Sequence, residues 1–282
     1  MSDFGGIPFL EIDPVAFSIF GFFDVRWYAL AYLAGFLGGW GYGIWLSGRF
    51  AKAVPDWRPH RQDIEDMLPW LVGGVILGGR LGYVLFYNPA YYLAHPLHVF
   101  HLWEGGMSFH GGMAGVIAVL FFYARRQGVS LLCLSDLVAC AAPIGLFFGR
   151  IANFINGELF GRVTTAPWGV IFPYGGPFPR HPSQIYEAIG EGLLLFVLLY
   201  VLARVAGYWK KPGLLSGVFL AGYGLARFCV EWVREPDPQL GLFAEYLTMG
   251  QILSLPMILG GVFLIHYASG RGEVLKNGSA EN

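Results

Sequence analysis

Seven stretches of mostly apolar residues, 27–46, 67–87, 106–123, 131–150, 184–203, 213–233 and 248–267, set the tightest limit on how this chain can fold. Each has about the 20 residues needed to cross the hydrocarbon of a bilayer. No water is available there to bond to the backbone, so every N–H and C=O must be paired within the segment, which makes each stretch a helix. Composition agrees, since 55% of the 282 residues are hydrophobic and only 13% are charged. A soluble domain carries about a quarter. The expectation is an all-α integral membrane protein: an N-terminal arm at 1–26, then one transmembrane bundle over 27–282 with seven transmembrane helices. The formal net charge of −1 offers no global field for nucleic acid or another polyanion.

The basic residues set the orientation, because cytoplasmic connections carry the excess of Lys and Arg. Arg49, Lys52, Arg58, Arg61, Arg125, Arg126, Arg204, Lys210, Lys211, Arg271 and Lys276 fall on one side, eleven in all, against Arg162, Arg180 and Arg234 on the other. This predicts a periplasmic N-terminus and a cytoplasmic C-terminus. The first residues lack a basic region and a small-residue cleavage site, so the N-terminus reads as retained. The connection at 151–183, rich in Gly, Pro and aromatics, is too long for a turn and reads as a small periplasmic cap of mixed, partly β character, ended by Pro182. Gly35, Gly39 and Gly43, and again Gly74, Gly78 and Gly82, recur every fourth position and read as helix-packing faces. Cys133, Cys140 and Cys229 lie in apolar runs with no metal spacing and read as packing residues.

Ionisable groups inside a bilayer cost about 2.5–3.5 kcal/mol each, so their positions carry information. With the predicted topology Arg26, Tyr28, Arg80, His110, Arg150, Glu187, Glu191, Arg227 and Glu231 share the outer-leaflet depth, and Asp136 alone does not. Glu187 and Glu191 share a helix face and call for arginine partners, and Arg227 and Glu231 are placed to pair. One interpretation is a polar cavity open to the outer leaflet; the other is an ion-pair network that only fixes helix register. Guanidinium forks match phosphate oxygens, so Arg80, Arg150 and Arg227, with Asn153 and Asn156 as neutral donors, suit a phospholipid headgroup. His110, in the glycine-rich HGGMAG run, is a candidate for proton transfer or for simple hydrogen-bonded packing. The series His95, His98 and His101 reads as interfacial aromatic residues rather than a metal site. No GxSxG or P-loop pattern occurs.

The stretch GRIANFINGELFGR, residues 149–162, closely resembles the signature of the prolipoprotein diacylglyceryl transferases. VRWYAL (25–30), GGRLGYVLFYN (78–88), WEGGMSFHGGMAG (103–115), RHPSQIYEA (180–188) and YGLARFCVEWVREPD (223–237) resemble the same family in the same order. The resemblance implies transfer of the sn-1,2-diacylglyceryl group of phosphatidylglycerol to the lipobox cysteine thiol of a preprolipoprotein. A thioether forms and glycerol 1-phosphate leaves, the first step of lipoprotein maturation in a bacterial inner membrane. It implies no metal and no soluble cofactor. By this resemblance Arg150 and Arg227 bind the headgroup and stabilise the leaving group, and His110 matches the proposed base. A thiolate stabilised mainly by the arginine field is the alternative to that base. Tyr28, Asn153, Glu158, Gly161 and Glu231 match further functional positions and are expected to orient the arginines and the cap. Two other classes remain open: a carrier that moves an anionic lipid without changing it, and a scaffold with register-fixing ion pairs. The first would call for inverted repeats of broken helices, which are not evident.

Overall fold

A computed structural model describes residues 5–21, 23–53, 59–235 and 247–270. Arg58, Arg271 and Lys276 of the charge count lie outside the described residues, as do the last two residues of the 223–237 motif. The described chain is mostly helical with few strands. In order come β1 (Ile7–Pro8), β2 (Val15–Ile19), β3 (Phe23–Arg26), α1 (Trp27–Ala53), α2 (Arg61–Phe86), α3 (Pro89–Ala94), α4 (Phe109–Gln127) and α5 (Leu131–Ile155). Then follow β4 (Val170–Ile171), α6 (Ser183–Glu187), a π-helical segment at Ala188–Leu194, α7 (Leu195–Arg204), α8 (Leu214–Val230) and α9 (Met249–Gly270).

All seven expected apolar stretches fall on these helices. Among the described residues four helices, Arg61–Phe86, Leu131–Ile155, Ser183–Arg204 and Met249–Gly270, are able by length and composition to cross a membrane, and Leu214–Val230 is a shorter apolar helix. Large side chains such as Leu77, Phe86, Phe122, Leu259 and Phe263 stand more than 60% exposed on α2, α4 and α9. Apolar faces of this extent belong in contact with lipid.

The helix ends differ from the expected ones for local reasons. Gly105 and Gly106 have left-handed φ of 81° and 78°, so the third stretch begins its helix only at Phe109, where the Ser108 hydroxyl accepts from the Gly111 N–H at 3.2 Å. The helix around Arg150 does not stop there. It runs one further turn to Ile155 and is closed by Gly157, whose φ of 64° a side chain disfavours.

The chain divides into two compact units, 1–43 with 138–282, and 44–137, with boundaries inside α1 and α5. In the smaller unit α2 packs on α4 through glycine. A Cβ at Gly78 or Gly82 would strike the Gly111 backbone, and one at Gly74 would meet the Gly115 carbonyl at 2.9 Å. The HGGMAG run is thus the other half of the face predicted at Gly74, Gly78 and Gly82, and the two backbones touch directly. In the larger unit α1 meets α5 at Gly35, where an added Cβ would stand 3.0 Å from the Gly145 Cα, while one at Gly43 would point into open space. α8 meets α9 through Gly217, Gly224 and Gly261.

The 151–183 segment and the N-terminal arm carry the strand pairing among the described residues. β1 pairs in parallel with β4, β2 pairs antiparallel with β3, and bridges join Val163 and Val170 to Arg180. Phe172, 1% exposed, centres the cap, with the rings of Phe9, Phe154 and Phe160 at 5.4, 6.0 and 5.2 Å.

Candidate active site

The larger unit holds six ionisable side chains in one cluster. Glu187 and Glu191 are fully buried and Glu231 is 4% exposed. A carboxylate so removed from water needs charged partners. Glu187 has three: Arg227 Nη1 at 2.6 Å, Arg150 Nε at 3.1 Å and Arg234 Nη1 at 3.3 Å. Glu191 meets Arg150 Nη2 at 3.3 Å and Arg227 Nη1 at 4.0 Å. Glu231 pairs with Arg227 Nη2, and its other oxygen accepts from the Thr248 hydroxyl at 2.6 Å. Thr248 and Gln251 cap one another at the start of α9, so Glu231 is held from α9 as well as from the end of α8.

Local sequence explains why three helices can converge here. In EAIGEG, residues 187–192, Glu187 ends α6 and Glu191 lies on the π-wound segment that follows, a geometry frequent at functional sites, with Ala188, Gly190 and Gly192 as small neighbours. Gly192 lies so close to α5 that a Cβ would stand 2.7 Å from Phe147 Cβ, which brings Arg150 within reach. A Cβ at Gly190 would already touch the Cβ of Ala226 on α8 at 3.4 Å, one residue before Arg227. The side chains of Arg150 and Arg227 keep 16% of their surface exposed and Arg234 keeps 13%, whereas the carboxylates behind them keep none or almost none. The acids form the inner layer and the guanidinium groups the accessible one.

The stretch 149–162 ties this cluster to the cap. Asn153, buried on the last turn of α5, donates to Glu158 Oε1 at 2.8 Å, and Asn156 reaches the same oxygen at 3.4 Å. The Glu158 carbonyl accepts from Gln184 Nε2 at 2.6 Å. Tyr28 lies close enough to Glu158 to feel its charge, and its hydroxyl donates to Tyr32 at 3.1 Å. Gly161 pairs with Arg234 as an antiparallel bridge, and a Cβ there would run into the Val233 carbonyl and His181. Only glycine fits. Burial lowers the His181 imidazole below its ordinary range, which favours the neutral ring beside the Tyr186 hydroxyl at 3.2 Å.

Arg150, Arg227 and Glu231 thus come together with the two glutamates, while Arg80 and His110 belong to the other unit. There Arg80 is 3% exposed and all three of its guanidinium nitrogens donate to carbonyls. Nε bonds Val99 at 2.8 Å, Nη1 bonds Gly105 at 2.5 Å and Gly106 at 3.2 Å, and Nη2 bonds His98 at 2.6 Å and His101 at 3.1 Å. It braces the 96–106 connection. His110 is exposed on the first turn of α4. His95, His98 and His101 stack along a ladder begun by Tyr91 and ended by Trp103, with centroids 4.6–5.4 Å apart. Arg234 is a cluster residue that the sequence did not single out. Its signal was its place seven residues beyond Arg227, in a charged connection where it reads as an interfacial cation.

The sequence model of a family described as prolipoprotein diacylglyceryl transferase matches residues 14–267. A phosphatidylglycerol–prolipoprotein diacylglyceryl transferase of Rhodospirillum rubrum is 56% identical over 257 residues, 91% of this chain and 92% of its own length. The protein of that name from Methylocella silvestris is 53% identical over 268 residues, 95% and 98% of the two chains. One from Vibrio vulnificus is 52% identical over 269 residues, 95% and 96%. The matched region takes in the glutamates, the arginines and the 149–162 stretch alike, and the chain belongs to the prolipoprotein diacylglyceryl transferase family.

Proposed function

We propose that this protein moves the sn-1,2-diacylglyceryl group of phosphatidylglycerol onto the lipobox cysteine thiol of a preprolipoprotein, the first step of lipoprotein maturation. The observation that carries the proposal is the two-layer cluster: guanidinium groups left partly accessible and anchored from behind by buried carboxylates. Such a layer is preorganised for a phosphate. The thiolate sulfur attacks the sn-3 carbon of the lipid glycerol and forms the C–S bond. The C–O bond to phosphorus breaks and its electron pair leaves on glycerol 1-phosphate. One negative charge moves from sulfur to phosphate, and cations fixed in advance at that phosphate favour the transition state over the ground state.

Arg150 and Arg227 are assigned to the phosphate, with Arg234 beside them. Glu231 orients Arg227. Asn153, Asn156, Glu158, Gly161 and Tyr28 shape the adjoining wall toward the cap, and Arg80, with all its guanidinium nitrogens on carbonyls, keeps to bracing the 96–106 connection of its own unit. His110 is the candidate to take the thiol proton. We read the seven expected stretches as seven crossings of a bacterial inner membrane, with the N-terminus and active site on the periplasmic side and the C-terminus in the cytoplasm. The described basic residues Arg49, Lys52, Arg61, Arg125, Arg126, Arg204, Lys210 and Lys211 support that orientation.

The test uses purified full-length protein, phosphatidylglycerol and a peptide with a lipobox cysteine, followed by mass spectrometry. A diacylglyceryl mass gain on the peptide with release of glycerol 1-phosphate is expected. Unmodified peptide and intact lipid, with folded protein, would overturn the proposal and leave the carrier and scaffold alternatives. A pH–rate profile that keeps its shape in His110→Asn would remove His110 as the base.

A further inference from the structure

Of the three arginines in the cluster, Arg234 has the weakest hold from its own side chain. It touches one carboxylate, Glu187 at 3.3 Å, on an oxygen that Arg227 approaches more closely at 2.6 Å. It also stands four residues beyond the end of α8, where a single helical bond, from its N–H to the Val230 carbonyl at 3.0 Å, holds its backbone from the helix side. Another part of the chain holds its carbonyl side. The Arg162 N–H donates to the Val233 carbonyl at 2.8 Å, and Arg162 Nε donates to the Arg234 carbonyl at 2.9 Å. Residues 161–162 are in turn bound on their other side, Gly161 N–H to the His181 carbonyl at 2.8 Å and His181 N–H to the Arg162 carbonyl at 3.0 Å. Arg180 Nη1 closes the next position, bonding the Gly161 carbonyl at 3.2 Å and Glu235 Oε2 at 2.7 Å.

We propose that Arg162 is a positioning residue of the anion site, acting through Arg234. Its guanidinium pins the carbonyl of Arg234 to the cap, which aims the Arg234 side chain at Glu187 and at the phosphate bound in front of it. Arg162 bonds to Arg234 only at the carbonyl and makes no ion pair in the cluster among the described residues. The two arginines therefore have different tasks. Arg234 supplies charge, and Arg162 supplies its address. The inference rests on the reading of the cluster as a phosphatidylglycerol site. It predicts that removing Arg162 changes how well the lipid is held, not how fast a correctly held lipid reacts.

The experiment is a double-mutant cycle in the full-length protein with Arg162→Met, Arg234→Met and both together. Arg162→Met deletes the Nε donor but keeps a linear apolar stem and the backbone bond to Val233. Two quantities are read: phosphatidylglycerol affinity, from the rise in melting temperature as the lipid is titrated into detergent micelles, and kcat and KM for transfer to a lipobox peptide. A hydrogen bond with a charged partner sets the expected size. Arg162→Met raises the lipid dissociation constant and KM about tenfold, with kcat within about twofold. In the Arg234→Met background the same change adds nothing, because the group it aims is gone. Arg162→Lys, which keeps a charged donor, recovers most of the loss and serves as the readout should Arg162→Met fold poorly.

A full tenfold effect in the Arg234→Met background, or a loss confined to kcat, would overturn the assignment. If the protein binds phosphatidylglycerol but transfers nothing, the transferase proposal falls and the binding cycle still decides Arg162. If transfer is normal and the cycle is additive, only Arg162 falls. If neither binding nor transfer occurs, both fall.

Discussion

Replacing Glu187 by glutamine tests the logic of the cluster most directly. Glu187 is fully buried and faces Arg150, Arg227 and Arg234 within 3.3 Å. The cluster holds three arginines and three glutamates, so its formal charge is 3 − 3 = 0 and becomes +1 in Glu187→Gln. Leaving buried charge without its partner costs about 3–5 kcal/mol. Glu187, with three close cations, belongs at the upper end of that range. Glu191 has contacts only at 3.3 and 4.0 Å, and its removal also relieves repulsion from Glu187, so Glu191→Gln belongs at or below the lower end. Unfolding free energies from denaturant titration in mixed micelles measure both. The double variant Glu187→Gln/Arg234→Met restores neutrality by deleting the least-supported cation. It should regain part of the stability without regaining phosphatidylglycerol affinity. Equal losses for Glu187 and Glu191, or no recovery in the double variant, would refute the view that one carboxylate organises all three arginines.

Further outcomes follow from the same geometry. Arg150→Ala should abolish transfer and Arg150→Lys should lose most of it, because Nε and Nη2 serve two different glutamates and a single ammonium cannot span both; single-turnover assays check this. Arg80→Lys forfeits most of five carbonyl contacts and should lower stability by about 2–4 kcal/mol. Gly78→Ala drives a methyl group into the Gly111 carbonyl and should cost about 1–3 kcal/mol of stability with little change in lipid KM.

The helices were legible in the sequence because apolar runs of spanning length leave the backbone one solution. Their ends were less so, since Gly105, Gly106 and Gly157 act through φ values that a hydropathy pattern does not carry. The pairing of Glu187 and Glu191 with Arg150 and Arg227 was readable because a buried acid demands a cation and few were available. Arg80 looked equivalent to Arg150 along the chain. What separates them is the nature of the partner, carbonyls at residues 98–106 against carboxylates at 187 and 191, and no spacing rule encodes a return of the chain. Arg234 escaped for the opposite reason: beyond an apolar run, a cation normally faces water. The HGGMAG run stood out in the sequence for its histidine. Its glycines are instead the surface on which α2 lies.

The zero formal charge of the cluster bears on selectivity. Oppositely charged groups a few ångströms apart cancel one another's field at a distance, and ionic strength shortens what is left to about 8 Å. A phosphate dissolved in the aqueous phase would feel little pull from so balanced a group, whereas a net-positive funnel would collect every passing anion. In the proposed reaction, recruitment by long-range attraction gives way to delivery by two-dimensional diffusion within the leaflet. On that proposal the affinity of the arginines is expressed only at contact range, so the membrane's lateral traffic, rather than the solute pool, decides what is sampled.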